Sequence, residues 1–231
     1  MAQEAAVKRK HKSKASSTIC CICGQPGADS RDHIIPAGFF LQPRPTNLVT
    51  LPAHRSCHKR LSEDYARAIL AGMSDTTTAS RISEMHVRWS LVKSDLKGPK
   101  LRRDLIRTLV RRVEFRSPAG LILGHAPGVR FDRDRMYPML EKIVRGLYHH
   151  HTGRLLLPKT EFFWGLNETL VGGLATLFDQ SAAGLSYPGV FECRYGVAAD
   201  ETTEKTMWWL RFYDSVVFRC LTNTALPAPT R

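Results

Sequence analysis

Cys20 and Cys23 form a C-x2-C pair, and about thirty residues later His54 and Cys57 repeat the same spacing. Two thiolates on one tight turn face a common ion, with Gly24 easing the turn, and at the start of a helix residues i and i+3 lie on one side. Together Cys20, Cys23, His54 and Cys57 offer a Cys3His tetrahedral donor set, the chemistry of structural Zn2+. Cys21 is the alternative first ligand, but Cys21 to Cys23 leaves a single intervening residue and fits less well.

Between the two pairs lies Asp32-His33-Ile34-Ile35-Pro36. Adjacent side chains on a strand point to opposite faces, so the carboxylate and the imidazole reach different atoms. Phosphodiester hydrolysis asks for such a division of labour: a base to deprotonate an in-line water, and a cation to stabilise charge on the phosphate and the leaving oxygen. His58 follows Cys57 and stands about 100° further round the same helix. Neighbouring residues are thereby able to serve a structural and a catalytic metal. Asn47, just before Leu48-Val49-Thr50-Leu51, is a polar side chain able to pin a backbone or an imidazole at the end of a loop.

The order C-x2-C, D-H-I-x-P, N-L, then a second x2 pair followed directly by His, resembles the HNH nuclease motif over residues 20–59. The resemblance implies a ββα-metal fold in which His33 is the general base. Asp32 and His58 would bind Mg2+ or another divalent ion such as Mn2+, and Asn47 would orient His33. The base works as neutral imidazole, so activity is expected to fall below roughly pH 6.5, the ordinary value for His. One departure is His54, where related sequences commonly carry Cys; imidazole is an ordinary zinc ligand, so the site is expected to survive.

Charge supports a polyanionic partner. The 231 residues carry 34 Lys and Arg against 21 Asp and Glu, a net charge of +13. Residues 1–80 hold eleven basic and six acidic side chains, 81–135 fourteen and six, and 136–231 nine and nine. Nucleic acid, double-stranded DNA first, is therefore expected to meet the first 135 residues. Candidate phosphate contacts are Arg44, in the Pro-rich loop 38–46, and Arg103, Arg107 and Arg111, spaced i, i+4, i+8 along a helix expected over 100–113. The competing reading is a zinc-stabilised nucleic-acid-binding module without catalysis, whose last third recruits a protein.

Six cysteines, four of them in the first quarter, do not make the disulfide framework of a small secreted protein. No run approaches the ~18 apolar residues of a membrane span, and the N-terminus lacks an apolar leader core, so a cytoplasmic protein is expected.

The elements that must position these residues give an α+β fold. Residues 1–17, small, polar and basic, are expected to be a disordered tail. Residues 18–72 form the ββα-metal unit, with a strand over 31–35 and a helix from about His54 to Gly72. Residues 73–135 form a basic helical region, with helices over 77–96 and 100–113 and a β-hairpin over 114–131. Residues 136–231 form a C-terminal α+β domain with helices over 136–151 and 168–180 and antiparallel sheet from the runs 190–197 and 207–221. Trp164, Trp208, Trp209, Tyr187, Tyr195 and Tyr213 are expected in the core because the flanking strands look too apolar for a base-stacking platform. Cys193 and Cys220 read as buried free thiols, and His149-His150-His151 as the end of a helix. The charge-balanced last third suggests a homodimer contact, a protein partner or a sensor, as in a regulated nuclease of phage defence or a mobile element.

Overall fold

The computed structural model describes residues 18–74, 93, 98–117, 119–166, 181–200 and 202–225. The tail 1–17, the helix expected over 77–96 apart from Lys93, and the helix expected over 168–180 lie outside the described residues.

The first ordered unit is an antiparallel pair, β1 (Ser30–His33) and β2 (Thr50–Ala53), with Asp32 opposite Leu51 and His33 opposite Thr50. Ile34 N–H donates to Val49 O at 3.0 Å and carries the pairing one step further. The intervening loop turns through a short 3-10 segment, Ala37–Phe39, that buries Phe39 and Phe40.

One helix was expected over 54–72, but the chain makes two, α1 (Arg55–Lys59) and α2 (Glu63–Met73). The four-residue spacing of Leu61, Tyr65 and Ile69 runs across the break, while Ser62-Glu63-Asp64 is a helix start: Ser62 O accepts from Ala66 N, and two carboxylates sit in the first turn. Gly72 does not stop α2, which ends one residue later where Ser74 Oγ donates to Ala71 O at 2.7 Å.

The third helix, α3 (Pro99–Thr108), stops short of the expected 113 and runs straight into β3 (Leu109–Arg116), which pairs with β4 (Ile122–Val129). Val110, Val113 and Phe115 explain this, since β-branched and aromatic residues at close spacing favour strand. The stripe of Arg103, Arg107 and Arg111 is therefore broken: Arg103 and Arg107 are exposed on α3, and Arg111 belongs to β3.

The centre of the molecule is α4 (Arg133–Thr152). Asp132 caps its start by accepting from Asp134 N, and Gly153, at φ +70°, ends it in the left-handed conformation that favours glycine. Met136, Met139, Leu140, Ile143, Val144 and Leu147 are fully buried, because α4 packs on two sides. One neighbour is a five-stranded antiparallel sheet in the order β5 (Glu161–Leu166), β9 (Val216–Ala225), β8 (Thr203–Phe212), β7 (Phe191–Ala199), β6 (Ala182–Tyr187). The other is the β1–β2 pair, which comes so near that a Cβ on Gly146 would lie 3.2 Å from Ile34 Cγ1 and 3.3 Å from Leu51 Cδ1. A single apolar core consequently joins residues of the first unit, such as Ile34, Phe39 and Ile69, to Trp208, Phe212 and Phe218 of the sheet.

The run expected as one β segment over 207–221 is a hairpin, with Tyr213 and Asp214 both at positive φ in the turn. Strand alternation sends Trp208 into the core and Trp209 to the opposite face, where cross-strand neighbours are Arg194 and Arg219 and the guanidinium of Arg211 lies 5.3 Å from the ring. Trp208, Tyr187 and Tyr213 are buried as expected, but the strand face around Trp209 is less apolar than the sequence suggests, with Arg194 and Arg211 beside the ring. Cys193 and Cys220 are buried free thiols. No helix among the described residues is long and apolar enough to cross a membrane.

Candidate metal centre and the residues beside it

The Cys20–Cys23 turn is closed by backbone bonds from Cys20 N to Gln25 O and from Gly24 N to Cys20 O, and Gly24 sits at φ +73°. Cys21 N donates to Pro52 O at 3.0 Å, which ties the turn to β2. α1 then begins directly after β2, with Cys57 N bonded to His54 O at 2.9 Å. These links bring Cys20, Cys23, His54 and Cys57 together with all four ligand atoms within 4.8 Å of one another. Cys21, the alternative ligand, is outside this set.

The donor set fits a tetrahedral ion. Zinc with sulfur at ~2.3 Å and nitrogen at ~2.0 Å separates its ligand atoms by about 3.5–3.8 Å; here His54 Nδ1 stands 3.3 Å from Cys23 Sγ and 3.8 Å from Cys57 Sγ. His54 Nε2 lies 3.1 Å from Pro26 O. Donation of an Nε2 proton to that carbonyl leaves the Nδ1 lone pair facing the thiols, the outer bond that fixes a ligating imidazole. Cys20 is fully buried, which by itself raises its pKa, yet N–H groups of Cys23, His54 and Ile22 directed at its sulfur together outweigh burial and hold the thiol below its ordinary value. Cys57 goes the other way, pushed up to about 12 by burial and then by its cysteine neighbours. A divalent cation reverses that second effect. The cluster can hold a metal such as zinc.

Beside it, β1 presents Asp32 and His33 to opposite faces. Arg31, on the His33 face, donates from Nε to Thr50 Oγ1 at 2.9 Å and from Nη2 to Thr50 O at 2.7 Å. Asp32 faces α4, where Lys142 Nζ lies 2.7 Å from Oδ2, close enough to pair charge although off the hydrogen-bond direction. His58 is half-buried in the last turn of α1. Asn47 is exposed; its carbonyl accepts from Tyr187 OH at 3.3 Å, while the Tyr187 hydroxyl oxygen itself accepts from Val49 N at 3.0 Å. Its side-chain amide makes no hydrogen bond with His33. Arg44 is exposed on the Pro-rich loop.

The structure thus brings the four expected zinc ligands together. Asp32, His33 and His58 do not make a second such group, since among the described residues the Cys3His set is the one cluster of three or more metal-ligating side chains. Three participants were not foreseen: Arg31, Tyr187 and Lys142. The first two carry no distinguishing pattern in the sequence. Lys142 does, as one of two cations, with Arg145, inside the otherwise core-facing run 139–148.

No protein-family model, curated protein or solved structure matches the chain at a significant level. A functional reading therefore stands on the residues themselves.

Proposed function

We propose that the chain is a metal-dependent endonuclease of the HNH type, hydrolysing phosphodiester bonds of double-stranded DNA. The observation that carries this reading is the order strand, strand, helix, closed at its base by the Cys3His cluster, with His33 on the first strand and His58 next to a ligand of that cluster on the helix. Zinc holds the frame, and the side chains facing away from it are left for chemistry.

In this reading the His33 imidazole takes the proton of a water in line with the phosphorus. The resemblance implies His58 and Asp32 as holders of Mg2+ or Mn2+, which would supply charge stabilisation for the phosphate and the departing 3′-oxygen when bound; of the two, His58 is the ligand this reading requires. Asn47 would turn its amide toward His33 when substrate orders the 38–47 loop. Arg31, on the same face as His33, and Arg44, Arg103 and Arg107 supply phosphate contacts. Arg111 supplies one from strand β3. Residues 136–231 carry the partner contact or homodimer of a regulated nuclease of phage defence or a mobile element.

Plasmid cleavage with added Mg2+ or Mn2+ tests this. Wild type is expected to cut, and His33→Ala to lose about 10²–10⁴-fold in rate, the usual worth of a general base. A zinc-loaded wild type that binds plasmid but never cuts would favour the non-catalytic module instead. That second reading draws on one specific observation, the pairing of Asp32 with Lys142.

A further inference from the structure

Lys142 is 4% exposed at its side chain, and its Nζ contacts two carboxylates, Asp32 Oδ2 at 2.7 Å and Glu63 Oε1 at 3.0 Å. One buried ammonium thus ties together β1, the first turn of α2 and the middle of α4. Gly146 lies one turn further along α4, and it is there that Ile34 and Leu51 approach the helix. Lys142 and Gly146 make one stripe, i and i+4, against which the β1–β2 pair is seated. Asp32 and Ile34 therefore belong to the face of β1 that meets α4, and Arg31 and His33 to the other.

We infer that Asp32 is not a ligand of the catalytic ion but an anchor, and that Lys142, acting through it, is a positioning residue for His33. Asp32 keeps 14% side-chain exposure, so its charge is shared in a poorly solvated place, where an unpaired ion is strongly disfavoured. A divalent ion on Asp32 would stand beside an ammonium that has nowhere else to place its charge than Glu63. Space decides the same way. The cavity lined by Asp32, His33, Lys142 and Gly146 has a volume of about 10 Å3, room for about one water, whereas Mg2+ keeps several waters when it binds protein. Within the nuclease reading the ion is then left to His58 and to the face of β1 that His33 shares with the exposed Arg31. Holding Asp32 fixes the β1 backbone, and with it the direction in which the next residue points.

The inference rests on the nuclease reading, and its test separates the two. Binding of Mn2+ to the zinc-loaded full chain is read from the loss of the free-ion electron-spin signal, for wild type, Asp32→Asn and His58→Ala. Asp32→Asn is expected to change affinity by less than about threefold and His58→Ala by more than about tenfold, the difference between a neighbour and a ligand. In cleavage, Lys142→Met is expected to lower kcat about ten- to a hundredfold with KM held, and Lys142→Arg to recover part of it. The folding equilibria of Asp32→Asn, Lys142→Met and the double variant give the coupling: Lys142→Met leaves the Asp32 carboxylate without its cation and Asp32→Asn leaves Lys142 with Glu63 alone, while the double change removes both buried charges, Glu63 being 34% exposed. The double variant is expected to be more stable than the sum of the singles predicts.

Loss of Mn2+ binding in Asp32→Asn together with tighter binding in Lys142→Met would overturn the inference, making Asp32 a ligand and Lys142 its competitor. If the wild type neither binds Mn2+ nor cuts, the nuclease reading falls on its own. The anchor is then still decided by the cycle and by the His33 ring cross-peak, which should move in Lys142→Met; strictly additive losses and an unmoved peak overturn it.

Discussion

The metal-binding knuckle and the helix-on-sheet body are built by different physics within one chain. The knuckle has almost no apolar interior: Cys20, Ala28 and Ala53 form its small buried cluster, with Ile22, Cys23 and Cys57 packed against them. The body has a continuous core from Ile34 to Cys220. A unit that cannot bury enough apolar surface needs a staple, and four convergent ligands are one. The difference teaches where each kind of damage should be felt.

The largest expected effect is removal of the metal. Structural zinc contributes about 10–16 kcal/mol of apparent binding energy in small zinc domains near pH 7. Cys57→Ser or a strong chelator should therefore release zinc and unfold 18–29 and α1, abolishing cleavage, while near-ultraviolet dichroism of the sheet tryptophans stays unchanged. A body that melts with the knuckle would break the comparison. The same site carries a pH signature. The metal-free Cys57 thiol, raised to about 12, is protonated at neutral pH, whereas the Cys20 thiol is held below its ordinary value by the N–H groups around its sulfur. Zinc must displace the Cys57 proton, so affinity should rise with pH, by about tenfold per unit for each proton released. Competition with a chromogenic chelator at several pH values measures the slope, and a flat profile contradicts the assignment of Cys57 as a ligand.

Trp208→Ala attacks the other region. The side chain is fully buried and its Nε1 donates to Thr206 Oγ1 at 2.6 Å. Truncation should cost about 3–5 kcal/mol of unfolding free energy, with one zinc per chain retained. Zinc loss at the same denaturant concentration would show that the regions unfold as one.

Much of the knuckle is legible in the sequence because its determinants are ligand types at short spacings, local enough to survive without tertiary context. The body is legible only in outline. Aromatic and β-branched content marks 190–197 and 207–221 as strand, but the turn between β8 and β9 uses Tyr213 and Asp214 at positive φ, where glycine or asparagine would have advertised it. Tyr213 fits there because its ring packs on Phe39, 174 residues away along the chain, and its hydroxyl donates to Phe39 O. β5 gives no local sign that it pairs with β9 at the sheet's edge. The pairing of Asp32 with Lys142 lies across the same sequence distance problem: the motif names Asp32 but says nothing of what faces it.

The contact between the regions gives a smaller effect. Gly146→Leu would drive a side chain into Ile34 and Leu51, an overpacking that usually costs about 1–3 kcal/mol. Displacement of the β1–β2 pair should lower cleavage more than stability, since His33 sits on that pair. Equal proportional loss in both would mean that the hairpin's seat on α4 has no special bearing on the site.

Smallest is the effect at the start of α1. Asp29 Oδ1 accepts from Arg55 N at 2.8 Å, next to the ligand His54, and that N–H holds the carboxyl below its ordinary value. A carboxyl made more acidic by folding stabilises the folded state fully above its unfolded value, ordinarily about 3.9, and loses that contribution as pH falls through the lower folded value. Asp29→Ala should thus speed zinc release to a chelator only slightly, and the ratio of wild-type to variant rates should stay flat from about pH 8 to 5, because the carboxylate is ionised throughout. The thiol protonation argued for Cys57 acts on both proteins alike and cancels in the ratio. A ratio that closes between pH 6 and 5 would place Asp29 above its ordinary value, and would move the control of α1 from this cap to the ligands themselves.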